Sequence, residues 1–295
     1  MNKAIFDIGT NSIKLLIYSY PDKTIIAEYM KISRLGENLS NTGLISATAI
    51  ERNLQTLSEL INISDSYEVK QKVAIGTMCL RSAKNSDKFI SLVKQKLGLE
   101  IKVLSGKQEA ELSTKAVLAN LKINTKRNLI FDIGGGSTEI ILPHLDFSYS
   151  FNIGAHQATD LFLHSDPFTN EEASKLRNYI ISLLQQKIPK TTIENIIGVG
   201  GTVTTLASID KKMRYFDSKQ LENAILIVDD LKKQIKLFAS MNIEKRKKII
   251  GLHPQRAKII PGGAIIILSI IEYFSFKNLR ISAWGLRHGI MLDNY

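Results

Sequence analysis

The alternation of apolar and polar positions opens with Ile5-Phe6-Asp7-Ile8, a polar turn at Gly9 to Ser12, and a second apolar run from Ile13 to Ile17. Two strand-length runs around a turn of Gly, Thr, Asn and Ser predict a β-hairpin. A third strand is expected from Ile25 to Ile32 and a loop at Arg34 to Asn38. From about Ser46, Ile50, Leu54, Leu57 and Ile61 recur at helical spacing and line one face. Val69 to Ile75 reads as a buried strand, Arg81 falls in a turn, and Ser86 or Asp87 opens a helix that stops at Gly98. Glu100 to Leu104 is a strand that turns at Ser105 into a helix running to about Leu121.

The second half predicts strands at Leu129 to Asp132, Thr138 to Leu142 and Phe147 to Ile153, then a helix from Ala155. Thr169 with Glu172 forms a capping box ahead of a helix that turns Leu176, Tyr179, Ile180, Leu183 and Leu184 inward. Ile196 to Thr202 is a strand that enters a glycine turn and then a helix. The rest reads as largely helical, Ser218 to Met241, Gln255 to Ile260 and Gly262 to Phe274, before a strand at Leu279 to Ser282 and a last helix from Leu286 to Asn294.

The pattern repeats itself. Ile5-Phe6-Asp7-Ile8-Gly9-Thr10-Asn11-Ser12 returns as Ile130-Phe131-Asp132-Ile133-Gly134-Gly135-Gly136-Ser137, identical at six of eight positions without a gap. Each copy predicts a strand ending in a carboxylate, a tight turn and a second strand. A polar segment, Lys122 to Asn128, precedes the second copy and marks the expected boundary: domain I at 1–122, domain II at 123–285, with a C-terminal helix at about 286–295 packing back on domain I.

The hairpins exclude two nucleotide motifs. A P-loop or a dinucleotide fold runs its glycines into a helix, as G-x-x-x-x-G-K-[ST] or G-x-G-x-x-G, and neither pattern occurs. A glycine turn between strands can still cup phosphate with successive backbone N–H groups, and an Asp beside it can hold Mg²⁺ against phosphate oxygens. Asp132 and Glu139 flank the Gly134-Gly135-Gly136-Ser137 turn on adjacent strands, and Asp7 holds the matching place in the first copy. The turn at Gly200-Gly201-Thr202 reads as a third phosphate loop, with close helix-to-strand packing as the alternative.

Composition narrows the partners. The chain has 295 residues, with 39 Lys plus Arg against 28 Asp plus Glu, a formal net charge of +11 that attracts anions at long range. Nucleic acid is not expected, since no binding motif is present and the basic runs lack interleaved aromatics. Glu244 to Lys248 reads as a solvated basic run. One cysteine, Cys79, excludes an intramolecular disulfide. With no signal peptide and no apolar run of spanning length, the expectation is a cytoplasmic protein that makes no membrane contact. His144, His156, His164 and His253 read as surface or locally bonded, and His288 as packed in the last helix; none has metal spacing.

Seven phrases together resemble the exopolyphosphatase and guanosine pentaphosphate phosphatase family, Ppx/GppA. They are Asp7 to Ser12, Thr77 to Asn85, Ser105-Gly-Lys-Gln-Glu109-Ala, Asp132 to Glu139, Gly198 to Thr202, Pro261-Gly-Gly263 and Gly285-Leu-Arg-His-Gly289. The resemblance implies an α/β architecture, the two-domain fold of actin-like ATPases, Hsp70 and sugar kinases, built from duplicated ribonuclease H-like domains with an interdomain active-site cleft. It implies a short form without the C-terminal HD-type region of some members. It further implies Glu109 as the catalytic base, Arg81 as a phosphate clamp, and Thr10, Asn11, Ser12, Gly134, Gly135, Gly136, Ser137, Thr138, Gly200, Gly201 and Thr202 as phosphate-binding positions. Asp7, Asp132 and Glu139 would hold Mg²⁺. Lys107-Gln108 departs from an acidic stretch common before the glutamate, and Glu111 lies where Arg is frequent.

The expected activity is Mg²⁺-dependent hydrolysis of a phosphoanhydride, releasing orthophosphate from inorganic polyphosphate or converting pppGpp to ppGpp, with the charge leaning towards polyphosphate. Two alternatives stay open, a small-molecule kinase of the same fold and a guanosine-phosphate or polyphosphate sensor with little turnover. So does assembly as a homodimer.

Overall fold

The structure, a computed structural model, describes residues 1–121 and 127–293, apart from the side chain of Ser40. The segment 122–126, within the expected boundary, and Asn294, the expected end of the last helix, lie outside the described residues. The chain divides into two compact units, Met1–Ala116 with Leu286–Tyr295, and Val117–Gly285.

In the first unit β1 (Asn2–Ile8) and β2 (Ser12–Ser19) form the predicted hairpin, and β3 (Thr24–Ile32) extends it antiparallel. A one-turn helix α1 (Leu39–Thr42) precedes α2 (Ala47–Ser66), which opens where Ser46 Oγ accepts the Ala49 N–H at 3.1 Å. The cap satisfies a first-turn donor that the helix cannot bond itself. Ile50, Leu57 and Leu60 of α2 join Phe6, Ile13 and Leu15 in one core. The crossover through α2 lets β4 (Val69–Gly76) run parallel to β1. A five-residue helix α3 (Met78–Ser82) then stands where a turn was expected, and it carries Arg81. α4 (Ser86–Leu97) ends at Gly98 as predicted, and β5 (Ile101–Val103) leads into α5 (Gly106–Leu121).

The second unit has β6 (Asn128–Ile133), β7 (Thr138–Leu142), β8 (Phe147–Phe151), α6 (Ala155–Phe162) and α7 (Asn170–Lys187). β9 (Asn195–Val199) runs directly into α8 (Gly200–Asp210), followed by α9 (Ser218–Leu221), β10 (Ile225–Ile227) and α10 (Val228–Ala239). α11 (Ile243–Arg246), α12 (Ile260–Tyr273) and β11 (Asn278–Ile281) complete it. The last helix, α13 (Leu286–Asp293), belongs to the first unit and lies against β1 and β2, where Arg287 Nη1 donates to Leu15 O at 3.1 Å.

The duplication seen in eight residues extends to both sheets. Their orders are β3-β2-β1-β4-β5 and β10-β11-β9-β6-β7-β8. Read from β8 inward, the second repeats the first: three antiparallel strands, then two parallel additions, with β10 appended antiparallel at the far edge.

Other expectations change as well, and the helix expected at Gln255 to Ile260 is only a 3-10 turn at Pro254–Arg256. The long helix at Ser218 to Met241 is interrupted by β10, because Ile225-Leu226-Ile227 finds a partner in β11 and buries Leu226 beneath it. Tyr179 is 41% exposed rather than inward, its ring packed against Phe162. The basic run is not wholly solvated. Arg246 is buried and bonds Asp166 at 2.5 Å, and burial lowers its pKa against the opposing pull of that carboxylate.

Candidate active site

Both copies of the repeated phrase close in the same way. Gly9 N–H donates to Ser12 O at 3.1 Å and Gly134 N–H to Ser137 O at 3.0 Å. The turn carbonyls are then tied back: Asn11 O accepts from Ser33 and Arg34 N–H at 3.0 Å each, and Thr10 O from Gly36 at 2.9 Å. In the second copy Gly134 O accepts from Ala155 at 3.0 Å and Gly135 O from His156 at 2.8 Å. A trans peptide sets C=O and the following N–H on opposite sides. Fixing the carbonyls therefore turns the Asn11, Gly135 and Gly136 N–H groups the other way, which is what an anion-binding nest requires.

The side chains flanking the two turns differ in charge. Asp7 lies opposite Lys14 in the β1–β2 register, and Lys14 Nζ is 3.4 Å from its carboxylate. At the matching register Asp132 lies opposite Glu139, so two carboxylates share one face of the β6–β7 hairpin. Glu139 is buried and accepts from Ser150 Oγ at 2.8 Å. The duplication has thus become an acid–base pair in one unit and an acid–acid pair in the other. Among the described residues, no three His, Cys, Asp or Glu side chains gather closely enough to hold a metal ion.

The third turn packs tightly. Gly200 has φ +94°, and a Cβ there would lie 2.2 Å from Asp132 Oδ1; one at Gly201 would lie 2.6 Å from an Arg256 guanidinium nitrogen. Only glycine takes that backbone and leaves the space. Thr202 is buried and donates to Ile133 O at 3.2 Å. This turn is closely packed, and in the same place the glycines bring a backbone against the Asp132 carboxylate. Arg256 is buried, and burial pushes its pKa down to about 10.

Arg81 and Glu109 meet in the first unit, with Arg81 Nη1 2.7 Å from Glu109 Oε2 and 2.8 Å from Leu104 O. Their side chains are 22% and 12% exposed. Glu111 is turned to solvent beside Lys107, at 3.8 Å. The two glutamates are thus separated as their spacing on a helix demands.

The remaining hydroxyls mostly serve the fold. Thr138 donates to Ile153 O at 2.6 Å and lines a small apolar pocket with Phe151, Ile180 and Ile266, leaving its main chain rather than its side chain at the turn. Thr10, Asn11, Ser12 and Ser137 are buried in their turns. Of the two readings of His156, surface or locally bonded, the second holds: it is buried, and its backbone N–H donates to Gly135 O at 2.8 Å. His288 is packed in α13, 3.4 Å from Glu28. Sequence reasoning missed Lys14 and Arg256. Lys14 was within reach, since extending the repeat alignment by two residues sets it against Glu139; Arg256, 55 residues beyond Gly201, carried no local signal.

The model of the Ppx/GppA phosphatase family matches residues 17–295. The chain is 32% identical over 308 residues to a bifunctional 3-dehydroquinate synthase/phosphatase of Fusobacterium nucleatum subsp. nucleatum, covering 99% of this chain and 46% of that protein, so it spans about half of that relative's length. It is 29% identical to exopolyphosphatase 2 of Mycobacterium tuberculosis, covering 98% and 97% of the two chains. The crystal structure of the Aquifex aeolicus Ppx/GppA member superposes with a TM-score of 0.82 at 31% identity, covering 100% of this chain and 97% of that one. The two-sheet α/β architecture is the actin-like fold anticipated from the motifs.

Proposed function

The chain belongs to the Ppx/GppA phosphatase family, and from that premise we propose that it is a Mg²⁺-dependent phosphoanhydride hydrolase. It releases terminal orthophosphate from inorganic polyphosphate, or converts pppGpp to ppGpp. The observation that carries this reading is the Arg81–Glu109 pair at 2.7 Å, largely buried, with Glu111 pointed away. A carboxylate is acceptor-only, so Glu109 takes a hydrogen bond from water and orients its oxygen towards phosphorus. The water oxygen bonds to the terminal phosphorus, the bridging P–O bond breaks, and the water proton passes to Glu109. Both described Arg81 bonds come from Nη1. The Nε–Nη2 edge of the guanidinium is thereby assigned to paired phosphate oxygens.

The donors present suit Mg²⁺. This ion takes one or two carboxylates and fills its other positions with water and phosphate oxygens, so no cage of three is needed. Asp132, with space kept open by Gly200, is the direct ligand in this reading, and Glu139 supports it from the neighbouring strand. When bound, the ion neutralises charge building on the phosphate oxygens. At the first turn the matching carboxylate, Asp7, faces Lys14. The turn N–H groups at Asn11, Gly135 and Gly136 supply donors to phosphate.

The test is orthophosphate release with Mg²⁺ on long-chain polyphosphate, short-chain polyphosphate, pppGpp and ATP, with Glu109→Gln alongside. Release from polyphosphate or pppGpp that falls by at least about a hundredfold in Glu109→Gln is the expected outcome. Turnover within about threefold of wild type removes Glu109 from this role. Binding with no release from any substrate favours a sensor, and phosphate loss from ATP only with an added acceptor favours a kinase.

A further inference from the structure

Glu109 stands one residue beyond a turn that closes on itself. Ser105 Oγ accepts the Gln108 N–H at 3.2 Å, and Gln108 Oε1 accepts the Ser105 N–H at 3.0 Å. These reciprocal bonds are a capping box at the first turn of α5. The Glu109 N–H in turn donates to Ser105 O at 3.0 Å. The residue before the box is held as well: Leu104 N–H donates to Gly76 O at 2.9 Å, and Leu104 O accepts from Arg81 at 2.8 Å. The Arg81–Glu109 bond closes a circuit through Leu104, Ser105 and Gln108 back to Glu109.

We propose that Gln108 is the positioning residue for Glu109. Its side chain is solvent-exposed and packs no core, so its work is confined to the box. The amide oxygen locks the first turn of α5 and so directs the Glu109 side chain to Arg81. Glu109 is the first residue whose direction the box sets, and a small displacement of a water-orienting group lowers turnover more than binding. This inference rests on Glu109 orienting the attacking water.

A second capping box, Thr169 with Glu172 at α7, provides the control, since it lies in the other unit and touches none of these residues. The experiment measures kcat and KM for short-chain polyphosphate and pppGpp, with melting temperatures, in Gln108→Ala, Gln108→Glu, Glu172→Ala and Glu109→Gln. Gln108→Ala is expected to lower kcat about tenfold with KM within about twofold of wild type. Gln108→Glu restores most of kcat, because a carboxylate also accepts the Ser105 N–H. Glu172→Ala lowers the melting temperature comparably and leaves kcat unchanged. Wild-type kcat in Gln108→Ala, or an equal loss of kcat in Glu172→Ala, overturns the proposal. If Glu109→Gln itself turns over, the reading of Glu109 and this inference fall together; if it is inactive while Gln108→Ala is not, this inference alone falls.

Discussion

At Gly200 one hydrogen atom separates the β9–α8 turn from the Asp132 carboxylate. The residue combines φ +94° with a Cβ position 2.2 Å from Asp132 Oδ1, so alanine there is strained in its backbone and displaces the carboxylate. Gly200→Ala is expected to cost about 1–3 kcal/mol of stability and to raise the Mg²⁺ concentration needed for half-maximal phosphate release. Denaturant unfolding and a Mg²⁺ titration read the two effects, and an unchanged titration in a folded variant contradicts the assignment of Asp132. Single residues were unevenly legible. The carboxylates and glycines stand out because few residue types suit a tight turn or a hard cation. What each carboxylate faces did not stand out: Asp7 meets Lys14, Asp132 meets Gly200, and Glu109 meets Arg81. The partner of Thr138 was equally hidden, since its hydroxyl donates to Ile153 O, fifteen residues on.

Among the elements, those announced by local chemistry were read well. The capping box at α7 is present with both reciprocal bonds, and Ser46 and Gly98 bound their helices as expected. The Glu172 carboxyl is pushed up by burial, but N–H groups of Thr169, Ser165 and His164 outweigh this and hold it at about 2, against an ordinary 4.5. A folded-state value below the unfolded one gives stability that is full above about 4.5 and is lost as the pH falls towards about 2. Glu172→Ala is therefore expected to cost about 1 kcal/mol at neutral pH, with the difference from wild type shrinking in unfolding curves taken between pH 4.5 and pH 2. A difference that persists undiminished at the acid end contradicts the hydrogen-bonded carboxylate. β10 escaped notice because a three-residue strand is justified only by its partner. That partner, β11, lies about fifty residues later, and α9 and α10 on either side suggested one continuous helix.

Over the whole molecule the net charge of +11 gives a long-range attraction that salt screens. The expected result is that KM for long-chain polyphosphate rises more steeply between 50 and 300 mM salt than KM for pppGpp, on the order of tenfold against threefold; equal slopes, measured by phosphate release, contradict a role for the extended field. The matching strand orders of the two sheets explain why eight repeated residues were informative, since each copy begins the same antiparallel meander. The sequence by itself determined the duplicated α/β plan, the hairpin turns and most capped helices. Strand alternation, helical spacing, turn glycines and caps act between near neighbours and are written in consecutive residues. The tertiary structure alone decided that Arg81 reaches Glu109 across 28 positions, that Arg256 lies beneath Gly201 and that Arg246 leaves a basic run for Asp166. These three pairings depend on how sheets and crossovers bring distant segments together, and the charge or burial of each partner has meaning only after that has happened; the Lys14 and Glu139 difference is already written in the repeat alignment.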